Sequence, residues 1–439
     1  MKFSFFKKTL SSMPAINYPL ELEELIKWAN LHYLPKKTFP RDKAELLALE
    51  TLEFSDLPIT ELPEYLYCLP HLTKLSLNHT QLIEIPDSLG QLTQLRELDL
   101  SFVHLYELPD CIGNLSNLNI LLLAFNELSE LPNFFKHFKQ LKKLSLFNNQ
   151  LSEFPEVIQY LTELTELGLS GNNLVNLPEF IGELTQLTRL SLFNNQIEHL
   201  PHSLIKLQQL RELGLGGNQL RIIPEQIGLL SKLNKLSLSN NQLQNLPYTI
   251  GQLSQLEELS LAGNQFSDLP ESINELMSLK KLSLSSNRLT QLPNSFKKLT
   301  HLTELWLSSN RLKQIPEFIA ELPYITELGL GGNRIKHVPE FIGQLTQLTK
   351  LSLSGNQLKT IPGCIGELIN LEELWLNDNQ LTEIPEFISN LKNLTKLHLE
   401  NNKLTEIPYF INELPKLTHL EFYNNKTNFV PEFTANPRI

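Results

Sequence analysis

Residues 210–230 read Leu210-Arg211-Glu212-Leu213-Gly214-Leu215-Gly216-Gly217-Asn218-Gln219-Leu220-Arg221-Ile222-Ile223-Pro224-Glu225-Gln226-Ile227-Gly228-Leu229-Leu230. Leu213 and Leu215 alternate with Glu212, Gly214 and Gly216. That period of two predicts a short strand with one face buried. Asn218 follows, carrying two donors and an acceptor suited to backbone groups left unpaired where the chain turns away. Pro224 fixes φ where an extended return enters a helical turn, a place that tolerates its missing N–H. Ile227 and Leu230, three and six residues past the proline, close the core.

The same unit recurs along the chain. Prolines stand at 63, 86, 109, 132, 155, 178, 201, 224, 247, 270, 293, 316, 339, 362, 385, 408 and 431, always 23 residues apart. Asparagine keeps the period at Asn126, Asn149, Asn172, Asn195, Asn218, Asn241, Asn264, Asn287, Asn310, Asn333, Asn356, Asn379, Asn402 and Asn425. A fixed period of this length signals a solenoid and overrides the domain count that 439 residues would otherwise suggest. One strand per unit stacks as a parallel sheet, and in-register asparagines form a ladder of side-chain amides. Glutamate follows the comb proline at 64, 156, 179, 225, 271, 317, 340, 386 and 432. There the N–H groups opening the turn favour a carboxylate.

The pattern L-x-x-L-x-L-x-x-N-x-L-x-x-L-P-x-x-I-x-x-L resembles the leucine-rich-repeat family over roughly residues 46–433, in about seventeen in-phase copies. Its unit length and Leu-Pro step are similar to bacterial members, including translocated effectors, and to Ras-suppressor-type intracellular members. The resemblance implies an α/β repeat solenoid: a curved horseshoe with a parallel concave sheet, and short 3-10, helical or extended convex returns. It also implies that the concave face binds another protein, an inference from fold alone.

Composition narrows the classes. The 37 Lys+Arg against 48 Asp+Glu give a net charge of −11, which argues against a general nucleic-acid binder. No apolar run reaches the ~18 residues that span a bilayer. Lysines break the aromatic start Phe3–Phe6 too early for a secretory signal, so export, if any, leaves no such mark. That basic-aromatic start reads as a tail, with contact to a membrane surface as the alternative. The cysteines, Cys68, Cys111 and Cys364, form no disulfide framework, and Cys111 and Cys364 lie eleven coils, about 50 Å, apart. A reducing intracellular compartment is expected.

The ends depart from the repeat. The first three units carry Leu57, Thr80 and Val103 in place of asparagine, so the ladder begins at Asn126. Leu22, Leu25, Ile26 and Ala29 have helical spacing, so residues 1–45 read as a tail and helical cap. The solenoid occupies 46–433 and a short tail 434–439. So little chain after Pro431 leaves the last coil poorly covered, which would suit a homodimer.

Function is sought on the concave face. The position before the first inward leucine alternates in charge without a break from Lys143 to Glu304. Adjacent strands lie about 4.8 Å apart, so this column reads as a self-neutralising ladder rather than a phosphate-binding stripe. The next column is mostly Ser or Gly but holds Trp306, Trp375 and His398; further columns hold Phe147, Phe193 and Tyr423, with Phe102 and Phe125 one residue on. Two partner-binding patches follow, Phe102/Phe125/Phe147/Phe193 and Trp306/Trp375/His398/Tyr423, because aromatics anchor interfaces. The alternative is strand propensity and the covering of glycine gaps. Two residues after the comb proline, Phe134, Phe180, Phe318, Phe341, Phe387, Phe410 and Phe433 form a convex stripe. It is either an internal layer or, at Phe318, Phe341, Phe387 and Phe410, a self-association ridge.

No nucleotide, zinc-protease or Cys-x-x-Cys motif occurs. His199 and His202 flank Pro201 and read as a surface pair. No catalytic residue, cofactor or metal ligand is assigned. The expectation is a non-catalytic protein-binding scaffold, most simply a bacterial effector occupying a host or signalling protein. The alternatives are a targeting subunit of an enzyme complex and a self-assembling structural protein.

Overall fold

The computed structural model describes residues 19–427. The N-terminal tail through residue 18, Pro431, Phe433 and the 434–439 tail lie outside the described residues. The chain forms two compact units. One holds the chain up to Leu151 with Pro155–Leu164; the other holds Ser152–Phe154 with the chain from Thr165 onward.

The first unit opens on helix α1 (Pro19–Leu31) and the short helix α2 (Lys43–Leu47). Leu22, Leu25, Trp28 and Ala29 make the buried side of α1, close to the spacing read from sequence, while Ile26 is only half-buried. Trp28 meets Phe39 and Phe54 edge-on at 6.0 and 5.7 Å, so the cap is welded to the first coil by aromatics. The Arg41 guanidinium donates to the carbonyls of Ala29 (3.0 Å), Leu34 (2.8 Å) and Phe39, satisfying acceptors where α1 ends. Strands β1 (Thr51–Glu53), β2 (Lys74–Ser76), β3 (Glu97–Asp99), β4 (Ile120–Leu122) and β5 (Lys143–Ser145) then pair in parallel. Leucine sits on leucine in every step: Leu52, Leu75, Leu98, Leu121 and Leu144.

The second unit continues the rule through β6 (Glu166–Gly168), β7 (Arg189–Ser191), β8 (Glu212–Gly214), β9 (Lys235–Ser237), β10 (Glu258–Ser260) and β11 (Lys281–Ser283). It goes on through β12 (Glu304–Trp306), β13 (Glu327–Gly329), β14 (Lys350–Ser352), β15 (Glu373–Trp375), β16 (Lys396–His398) and β17 (His419–Glu421). All pairings within it are parallel. In both units the strand leucines point inward and are buried, each worth about 1.5–3 kcal/mol of transfer free energy. The residues beside them lie on the open side of the sheet, most of them half-buried.

From Pro63 to Pro408 the return of each coil is an extended proline followed by a five-residue 3-10 turn. Pro224, at φ −65° and ψ 145°, precedes the turn Glu225–Leu229, and Pro270 precedes Glu271–Glu275 in the same way. The glutamate after the proline does not cap its own turn, as the sequence suggested. The Glu179 carboxylate instead accepts the N–H groups of His202 (3.2 Å) and Ser203 (2.9 Å), which open the turn one coil later. Coils stack in register, so the free N–H groups of one turn face the carboxylate before it. These bonds hold the Glu179 carboxyl below its ordinary range, the Ser203 N–H contributing most.

The asparagine ladder is present from Asn126 onward. Asn264 Nδ2 donates to Leu238 O (2.9 Å) and Leu261 O (3.0 Å), and its Oδ1 accepts the N–H of Leu243 (3.0 Å). Each such side chain therefore ties its own coil to the one before it. Upstream, Thr80 Oγ1 donates to Leu77 O at 2.6 Å, a lesser substitute.

Candidate functional site

The charge column on the open face forms the ion pairs its alternation predicts. In the first unit Lys74 Nζ lies 3.2 Å from Glu97 and 3.5 Å from Glu53. In the second, Arg189 sits between Glu166 (3.6 Å) and Glu212 (3.3 Å); Lys235 meets Glu258 (3.2 Å), Lys281 meets Glu304 (2.6 Å), Lys350 meets Glu327 (2.9 Å) and Lys396 meets Glu373 (3.1 Å). Hydrogen bonds to Glu97, Glu304 and Glu327 hold the ammonium groups of Lys74, Lys281 and Lys350 above their ordinary range. The pairs are partly exposed to solvent, so each is worth a few tenths of a kcal/mol. They hold register and cancel charge along the face.

Against that neutral ground the aromatics stand out. In the first unit Phe102 and Phe125 stack with centroids 4.0 Å apart at 11°, and the His79 imidazole covers the other side of Phe102 at 3.9 Å. All three are one residue before the ladder position and have positive φ: 56° at His79, 57° at Phe102 and 54° at Phe125. Later coils put Asn148, Gly171, Asn194 or Gly217 there, residues that accept this conformation readily. A phenylalanine there costs about 1–3 kcal/mol of backbone strain. Phe125 nevertheless stays 45% exposed. Phe147 adjoins it, accepting the Phe125 N–H at 2.7 Å. On β4, Ile120 and Leu122 put half-buried apolar side chains on the same open face, where neighbouring strands carry charge or serine. Sequence reasoning singled out Phe102, Phe125 and Phe147 but passed over His79 and Leu122; the break in the charge and serine columns at β4 was the available signal.

Phe193 belongs to the second unit and lies flat over Gly214, where a Cβ would collide with its ring. Trp306 covers Gly329 in the same fashion. Both rings therefore fill glycine gaps as well as offering a face. Trp375 lies three strands beyond Trp306, about 14 Å, with Gly329 and Ser352 between them. It stacks on His398 with centroids 5.8 Å apart at 11°. Tyr423, beyond β17, is 58% exposed. The C-terminal candidates thus resolve into Trp306 on its glycine and a cluster around Trp375 and His398. Beside that cluster the structure places Glu400 and Glu421, which the sequence reading did not connect with His398. Burial pushes the Glu400 carboxyl above its ordinary range.

The stripe after the comb proline is uneven. Phe318 is buried and meets Phe296 edge-on at 5.7 Å, whereas Phe341, Phe387 and Phe410 are half-buried. Phe387 packs against Gly366 of the previous coil, and Phe134 against Gly113.

Cys68, Cys111 and Cys364 are free and buried, and burial pushes the Cys68 and Cys364 thiols up to about 11. These are structural thiols, not nucleophiles. No helix among the described residues is long and apolar enough to cross a membrane.

The comparisons with known proteins agree with this architecture. The family described as "Leucine-rich repeat region" matches residues 85–200, 198–306 and 293–380, and "Leucine Rich repeats (2 copies)" matches 369–412. No curated protein matches the chain. A solved leucine-rich-repeat protein of Leptospira interrogans is 37% identical, with 87% of this chain and 98% of that one covered and a TM-score of 0.79. The leucine-rich-repeat ectodomain of an Arabidopsis thaliana membrane receptor kinase, solved in complex with Casparian strip integrity factor 2, is 30% identical at a TM-score of 0.66. That alignment covers 86% of this chain and about half (53%) of the receptor ectodomain. An internalin of Listeria monocytogenes shares the fold, at 22% identity and a TM-score of 0.62 over 81% of this chain and 94% of its own. The repeat register, the asparagine ladder and these matches together make the chain a member of the leucine-rich-repeat family.

Proposed function

We propose that this chain is a non-catalytic scaffold that binds a partner protein on the open face of its sheet. The observation that carries the reading is the Phe102–Phe125 stack. Two large rings are held in a strained backbone conformation, one of them well exposed, on a face otherwise neutral and small. Rigid aromatic anchors of this kind concentrate binding energy at protein interfaces. Trp306, Trp375, His398 and Tyr423 supply a second set of anchors, with Phe147 and Phe193 contributing further apolar surface. The fold is a protein-interaction scaffold by type, and a plant receptor ectodomain sharing it was solved in complex with Casparian strip integrity factor 2.

The finer reading is a bacterial effector that occupies a host or signalling protein inside a reducing compartment. It is supported by the Leu-Pro repeat type, by the Leptospira relative and by three free, buried thiols. Self-association through Phe341, Phe387 and Phe410 is the competing use of the chain.

The test is capture of interacting proteins by the purified chain beside two variants, Phe102→Asn/Phe125→Asn and Trp306→Ala/Trp375→Ala. A specific partner retained by the native chain and lost from either folded variant supports the assignment. Capture undiminished by both would overturn the choice of face, and concentration-dependent light scattering abolished by Phe387→Ser/Phe410→Ser would favour self-association.

A further inference from the structure

At the end of the second unit, β16 and β17 bring His398, Glu400 and Glu421 to one point. His398 pairs in register with Glu421 across the two strands, and Glu400 lies two residues along from His398. One nitrogen and two carboxylate oxygens, one from each residue, lie within 4.8 Å of one another. His398 Nδ1 is 3.5 Å from Glu421 Oε2 and 3.9 Å from Glu400 Oε2. These separations are long for hydrogen bonds. The 3.5 Å separation is close to the edge of a tetrahedron, about 3.3–3.4 Å, that results when ligands bind one ion at ~2.0–2.1 Å, and the 3.9 Å separation reaches it by a side-chain shift of about half an ångström.

The second observation is Glu400 itself. Its side chain is 8% exposed, and Oε2 has no hydrogen-bond partner among the described residues. A buried carboxylate oxygen without a partner is costly, and the fold holds this one against the imidazole rather than turning it to water. Glu421 and His398 lie beside it with side chains 41% and 17% exposed, and the Trp375 indole stacks on the imidazole, limiting its rotation. The pairs His104–Glu127 and His79–Asp56 have no such buried carboxylate, Glu127 being 33% and Asp56 81% exposed.

We propose that His398, Glu400 and Glu421 bind a divalent first-row transition-metal ion, with zinc as the type case. The mixed nitrogen and oxygen donors suit zinc and its neighbours, whereas calcium and magnesium favour all-oxygen shells. Three protein ligands leave a fourth position open to water or to an incoming ligand. The sequence reading assigned no metal ligand because the three residues fall at unremarkable spacing and meet only through the strand register.

The experiment is calorimetric titration of the chelator-treated full chain with ZnCl2, beside Glu400→Gln, His398→Asn and, as control, His104→Ala. The expected result is one equivalent of zinc bound by the native chain and by His104→Ala, and affinity weakened about tenfold or more in the other two. Cobalt(II) in place of zinc should give the visible absorption of a low-symmetry site, lost in the same two variants. Circular dichroism checks that each variant is folded; His398→Asn alters a partly accessible side chain, so it carries the test if Glu400→Gln does not fold. Absence of stoichiometric binding, binding that survives in folded His398→Asn, or preference for calcium over zinc would overturn the assignment and leave an ion pair alone.

Discussion

Phe102 stacks face to face on Phe125, 4.0 Å away, although both residues occupy the left-handed region of backbone space. The stack is worth about 0.5–1.5 kcal/mol beyond burial. The strain costs about 1–3 kcal/mol per residue. Over two residues that strain exceeds the stack, and the apolar area the rings bury offsets part of the difference, so Phe102→Asn/Phe125→Asn should leave unfolding within about 1 kcal/mol of the native chain, or stabilise it. Denaturant titration checks this. A large loss of stability would mean the rings are structural supports, removing the main argument for that binding patch.

Asn264→Ala removes three donated bonds, to Leu238, Leu261 and Ala262, and one accepted bond in the buried ladder. The Leu243 N–H loses its partner, and the carbonyls of Leu238 and Leu261 keep only their bonds from Asn241 and Asn287, which should cost roughly 1–3 kcal/mol. Urea unfolding of the variant gives the value directly; a neutral substitution would show that the amides are not holding the coils.

The three thiols should be silent in the folded protein. With the Cys68 and Cys364 thiols pushed up to about 11 and buried, the thiolate fraction at pH 8 is on the order of one in a thousand. A chromogenic disulfide reagent should titrate none of the three cysteines in the native chain and all three in denaturant. Fast labelling without denaturant contradicts the packing of those coils.

Glu179 supplies a pH signature. Its carboxyl titrates below the ordinary value in the folded state, chiefly because of the Ser203 N–H. The stabilisation is therefore present above the unfolded pKa of about 4.3 and disappears as pH falls through the lower folded value. Glu179→Gln should melt slightly earlier than the native chain at pH 7, and the gap should close on acidification. Parallel melting curves from pH 7 to pH 3 decide it, and a constant gap would place the effect elsewhere.

The repeat, the strand positions, the helical cap and the ladder's start at Asn126 were all legible because each depends on local periodicity or on a residue with one conspicuous physical property. Proline locks φ, asparagine bridges backbone, and leucine alternates with polar neighbours. What escaped reading depends on contacts between coils. Glu179 capping the next turn needs the stacking direction. The gathering of His398, Glu400 and Glu421 needs the register of β16 on β17. The aromatics were found as residue types in columns, but only coordinates separate Trp306, laid over Gly329, from Trp375, stacked on His398.

The unbroken 23-residue interval carries a lesson about how such a chain changes length. Leu213 and Leu236 hold equivalent places on adjacent strands, and the amides of Asn218 and Asn241 make the same bonds to their respective neighbours. Excising or duplicating a whole period between Asn126 and Asn402 splices like onto like, so the severed strand and ladder bonds find equivalent substitutes, and only the alternating charge column slips by one step. Unequal crossing-over between copies could therefore lengthen or shorten the molecule in whole steps, adjusting its reach while leaving the joints intact.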